Sequence, residues 1–183
     1  MLTNQRERTD ETQDKDTFIV DGNGNTNYEN IVLQTGHRPA NNYIYRTLIQ
    51  FDLTGIPADA TITEATLYLY HKGTNEDLTG ENTISAHQIT ENWTAGTATW
   101  NNKPAIEEDS EDTEIVTGNI YQWQDWDLTE LTQKWIEGSQ PNYGICLKQA
   151  SETPQVNCPY FDDASSETSD QRPKIYIKWY KKL

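Results

Sequence analysis

The chain is poor in positive charge: among its 183 residues are 14 Lys and Arg against 29 Asp and Glu, a formal net charge of −15. Phosphate backbones and anionic bilayer surfaces are held by Lys and Arg that displace counterions, so nucleic acid is not expected as a partner. Long apolar runs are also missing. None approaches the roughly 20 residues that span a bilayer as a helix, so no membrane insertion is expected. The opening "MLTNQRERTDETQDKD" contains no apolar signal core. Cysteine is scarce, with only Cys146 and Cys158, too few for a disulfide framework and wrongly spaced for a zinc site. Catalytic signatures are absent: there is no nucleophile elbow, no His-Glu-x-x-His helix and no phosphate loop. His37, His71 and His87 fall on separate segments. The many carboxylates place some pair at glycosidase spacing by chance, so they do not argue for hydrolysis. The expectation is a protein that is not an enzyme.

What the chain does contain is aromatic: six tryptophans and ten tyrosines in a sequence only 34% hydrophobic. Burial must rely on amphipathic rings whose polar tips need partners. Residues 1–16 are almost wholly polar and read as a tail or linker, leaving residues 17–183 as one domain. From Thr17 onward, short β-type runs alternate with Gly, Asn, Asp and Pro clusters, the pattern of an antiparallel sandwich or barrel. In "YIYRTLIQFDL", Thr47, Ile49, Phe51 and Leu53 share one face and Arg46, Leu48, Gln50 and Asp52 the other. "TITEATLYLYHK" repeats the alternation with Ala65, Leu67 and Leu69, and the two runs are expected to pair as neighbours across the turn at Pro57. About ten strands are expected in all. One segment, "DLTELTQKWIEG", has a helical period, with Leu128, Leu131, Trp135 and Ile136 on one face, Asp127 and Glu130 at its start and Gly138 as its stop.

Three groups of residues are site candidates. The stretch "NWTAGTATWNNKP" sets Trp93 and Trp100 seven residues apart in a loop. Sugars present apolar ring faces edged by hydroxyls, so Trp93, Trp100, Asn101, Asn102 and Arg46 could together form a carbohydrate site. The competing reading makes the rings plugs, Trp100 more so than Trp93, with Arg46 in a surface ion pair, for example with Asp52. "DGNGNTNYE" alternates oxygen ligands at Asp21, Asn23, Asn25 and Glu29 as calcium loops do, although Thr26 and Val32 depart from that pattern and an Asn-Gly turn competes. Asp162 and Asp163 form a second calcium candidate. Cys146 and Cys158 flank a turn around Ser151 to Pro154; they are either two reduced thiols in a sheet or one disulfide, and the turn favours the disulfide.

Four stretches, "YRTLIQFDLTGIPADATITEATLYLY", "NWTAGTATWNNKP", "WDLTELTQKWIEGSQPNYGICLK" and "RPKIYIKWY", occur in an order that resembles the DNRLRE-domain family, related to the methanogen disaggregatase repeat and to carbohydrate-binding module family 96. The likeness covers roughly residues 16–180, and Arg46 matches the family's strand arginine. The resemblance implies an all-β jelly-roll sandwich without a catalytic site, found in secreted or surface proteins and linked to polysaccharide binding. The expected location is extracellular or at the cell surface, with a virion as the alternative. The rival reading is a structural subunit of a filament, envelope or virion, joined to copies of itself or to a larger assembly through the polar N-terminal arm.

Overall fold

The computed structural model describes residues 4–10, 13–74, 80–118, 120–152 and 158–181. Two antiparallel six-stranded sheets pack face to face as the expected jelly-roll sandwich. The first runs β1 (Asn4–Asp10), β12 (Lys174–Lys181), β6 (Thr61–Thr74), β11 (Pro159–Phe161) and β3 (Leu33–Gln34), with β9 (Gln122–Asp127) also paired to β6. The second runs β2 (Gln13–Val20), β5 (Tyr43–Phe51), β10 (Ile145–Gln149), β7 (Asn82–Gln88) and β8 (Asp112–Val116), with β4 (Gly36–Arg38) on β5.

Period-two alternation places the core. Ala65, Leu67 and Leu69 of β6, Ile49 and Phe51 of β5, and Ile175, Ile177 and Trp179 of β12 are all buried in one cluster between the sheets. Trp126 of β9 is fully buried there, and its indole N–H donates to the Ile84 carbonyl of β7, 3.0 Å away. One ring thereby fills the core and links the two layers through its single polar atom. The expected helix is α1 (Thr129–Ile136), which buries Leu131 and Ile136. The Asp127 carboxylate accepts from the Thr129 N–H at its start, and Gly138 (φ 76°) lies just past its end, where a left-handed residue is cheapest as glycine.

Three expectations fail. Residues 4–10 and 13–16 are not a tail. They form β1, paired with β12 from Asn4↔Lys181 to Asp10↔Ile175, and the first half of β2. An outer strand is held by ladder hydrogen bonds and so does not need the apolar surface whose scarcity suggested a linker. β5 and β6 are not paired. They lie in different sheets, so the turn at Pro57 carries the chain across the sandwich. The Cys146–Cys158 disulfide is not formed. Its premise was a hairpin, but Cys146 is on β10 of the second sheet while Cys158 leads into β11 of the first. Cys146 packs with Leu48 and Trp93, whereas Cys158 belongs to a separate cluster with Phe18, Val20 and Tyr45.

Candidate functional site

The outer face of the second sheet is covered by its own chain. Residues 89–106 form a strap across it, whose Ile89, Trp93, Ala95 and Ala98 are buried in one cluster with Ile19, Leu48 and Cys146 of the sheet. Burial pushes the Cys146 pKa up to about 12 against the opposing charge of nearby Arg46, so the thiol stays protonated at neutral pH. Trp93 is only 6% exposed, and its N–H donates to the Tyr143 carbonyl at 2.8 Å. The Lys15 ammonium lies 4.6 Å from its ring centre. Trp93 is therefore the deeper plug. Trp100, expected to be the more buried of the two, is half-buried and packs at the cluster's margin, with the Arg46 guanidinium 4.9 Å and the Lys103 ammonium 4.6 Å from its ring.

Arg46 pairs with Glu152 rather than Asp52, through two hydrogen bonds of 2.6 and 2.8 Å. Burial disfavours its charge, but the bidentate pairing outweighs that cost and holds the pKa above its ordinary value. Asp52 instead accepts from the backbone and hydroxyl of Thr54. Asn101 and Asn102 are exposed yet occupied. Asn101 donates to Asn25 Oδ1, and Asn102 closes a capping box with Thr99. The structure thus gathers Trp93, Trp100, Arg46, Asn101 and Asn102 on one strap and its supports, but as a structural clasp rather than an open platform.

The 21–29 loop serves the same clasp. Its Asn25 side chain accepts from Asn101, the Asn27 amide donates to the Ala95 and Ala98 carbonyls, and Gly24 lies so close to Asn101 that a Cβ would fall 2.7 Å from its Oδ1. Asp21 accepts from the Ile44 N–H, and the Asn23 amide donates to the Tyr28 hydroxyl. Backbone closure places the Glu29 N–H on Asn27 Oδ1. Asp162 accepts from Lys72 and Ser166, and Asp163 from Ser165. Among the described residues no three His, Cys, Asp or Glu side chains converge as a metal site needs. The oxygens named for calcium take part in a hydrogen-bonded turn at 21–29 and in an ion pair between buried Asp162 and the partly exposed Lys72.

The first sheet presents a different outer face. β6 alternates its buried Ala65, Leu67 and Leu69 with outward Glu64, Thr66, Tyr68 and Tyr70. The register sets Tyr68 between Lys174 and Asp125, Tyr70 beside Trp123, and Thr66 beside Tyr176. Glu64, Tyr68, Trp123, Lys174 and Tyr176 line a shallow groove of about 470 Å³. The Trp123 indole meets Tyr70 at 5.3 Å and Tyr68 at 6.4 Å, both edge-on, so the rings brace one another at right angles. The Lys174 ammonium sits 3.9 Å from the Trp123 ring centre, a cation–π contact that fixes a donor at the groove wall. Apolar ring surface edged by one carboxylate and one ammonium is suited to a polyhydroxylated ring: the faces stack, and the charged groups bind hydroxyls.

None of these groove residues was singled out from the sequence, although the signal was present. "TLYLY" places aromatics where a one-sided strand would carry polar residues, and "YQWQDW" does the same with Trp123 opposite buried Trp126. A search of curated proteins finds no match to the chain. The model of carbohydrate-binding module family 96 matches residues 7–179, so nearly the whole sandwich is accounted for and the chain belongs to that family.

Proposed function

We propose that the chain is a noncatalytic, surface-exposed module of the DNRLRE kind that holds polysaccharide on the outer face of the first sheet, in the groove around Trp123. The family match supports carbohydrate as the ligand class. The observation that carries the location is Trp123, braced by Tyr68 and Tyr70, in a groove that Tyr176, Glu64 and Lys174 also line. The strap over the second sheet offers no comparable open ring, since Trp93 is buried and Trp100 is packed against two cations.

The test is a glycan array with the intact protein, followed by titration of the best binder against Trp123→Ala. Removing a central aromatic anchor costs about 2 kcal/mol or more, which is roughly a thirtyfold loss of affinity. The variant should melt close to the parent, because Trp123 lies on the solvent side of β9. Unchanged binding by Trp123→Ala, or release of reducing ends from the bound polysaccharide, would refute the proposal.

A further inference from the structure

Tyr121 is 68% exposed, more than any other large hydrophobic side chain described. Its φ of 63° puts a bulky residue in the left-handed region, where glycine or asparagine would be the low-strain choice. The backbone is held there by its N–H, which donates to the His71 carbonyl at 2.6 Å and extends the β9–β6 ladder by one bond beyond the Gln122↔His71 pair. Among the described residues its ring stacks on no other ring and on no cation. A strained, solvent-facing tyrosine with no packing role is better explained by a ligand than by folding.

The position of the residue says which ligand. Tyr121 precedes Trp123 by two residues, one strand repeat of about 6.6 Å. Along β6 the groove is lined from Glu64 to Tyr68, and beyond it the outer face of the same strand continues through Tyr70 to Lys72; from Glu64 to Lys72 this track is eight strand steps, about 26 Å long. The short ladder bond at His71 places Tyr121 beside the Lys72 end of that track. We infer that Tyr121 is the outermost ring of the groove, and that the module grips internal stretches of a linear polysaccharide rather than a chain end or a single sugar. This inference rests on the carbohydrate reading above.

The experiment is calorimetric titration of the intact protein with disaccharides and hexasaccharides of β-1,4-linked glucan, xylan, mannan and uronan. The hexasaccharide of the recognised polymer should bind more tightly than its disaccharide. Tyr121→Ala should weaken hexasaccharide binding by about tenfold, equivalent to about 1.4 kcal/mol, while leaving the disaccharide unchanged. Trp123→Ala should weaken both, and Tyr121→Phe should retain the parent's hexasaccharide affinity. Tyr121→Gly keeps the left-handed turn without strain, so it should melt no lower than the parent and still lose the hexasaccharide advantage. Hexasaccharide binding that Tyr121→Ala leaves intact, while Trp123→Ala abolishes it, would overturn this inference alone. So would equal loss on both lengths, or a dimer in solution that Tyr121→Ala dissociates. Failure of every oligosaccharide to bind the intact protein would overturn the carbohydrate reading and this inference with it.

Discussion

Trp93 and Trp100 have nearly the same sequence context, yet the fold gives them different tasks. Trp93 fills the cluster under the strap and satisfies its N–H internally, so Trp93→Ala should lower unfolding free energy by about 3–5 kcal/mol, the usual cost of emptying a buried aromatic site. Trp100→Ala removes contacts that are partly solvated, including two cation–π pairs each of about 0.5–1 kcal/mol, and should cost about 1–2 kcal/mol. Urea unfolding of the two variants checks the order; a larger loss at Trp100 would reverse it. Sequence spacing identified both rings as candidates but ranked them in the reverse order. Their burial depends on what the strap meets, namely Ile19, Leu48 and Cys146 from three different strands. Arg46 shows the same limit. Its outward face was legible from alternation, whereas its partner Glu152 lies 106 positions away and only the tertiary fold brings it near.

At the scale of elements, alternation located all ten expected strands, because each buries at least one face and carries its period in the sequence. It missed β1, whose role is backbone pairing, and the very short β4, for the same reason: neither needs an apolar stripe. The strap over β2, β5 and β10 has no period and was legible only through its tryptophans, read in the sequence as plugs, and the segment that follows it creates a testable electrostatic feature. His87 of β7 is buried near it, with Nδ1 3.0 Å from the Glu107 carbonyl, and desolvation, aided by Lys148 and Arg46, holds its pKa below the ordinary 6.5. The unfolded chain then binds a proton that the folded protein refuses. The contribution of His87 is full above about pH 6.5 and is lost as pH falls below it toward the folded value. Glu111 and Glu114 act with the opposite sign at more acid pH, because burial raises their pKa values and favours the protonated form in the folded state. His87→Gln should therefore flatten the loss of stability between about pH 7 and pH 5.5, measured by urea midpoints at each pH. An unchanged slope would show that the imidazole stays wet.

For the whole molecule, the N-terminal strand matters more than its composition suggests. Deleting residues 1–10 should uncover the edge of β12, lower the melting temperature and promote association through the freed ladder groups, as read by calorimetry and sedimentation. A truncated protein as stable and as monomeric as the parent would restore the reading of this segment as a linker. The groove lies over β12, β6 and β9, so β1 supports one flank of the strands that carry it. The pairing of β1 with β12 also sets how the domain would respond to being pulled. Asn4 stands opposite Lys181, so a tether attached near both residues loads the same end of one antiparallel ladder, whose hydrogen bonds lie perpendicular to the strands. Tension there would break those bonds one at a time, peeling rather than shearing, and the sandwich would give way gently at this seam. The Trp123 groove begins on β12, one strand inward, so a module stretched between an anchor and a polymer would shed its outer strand before losing its hold.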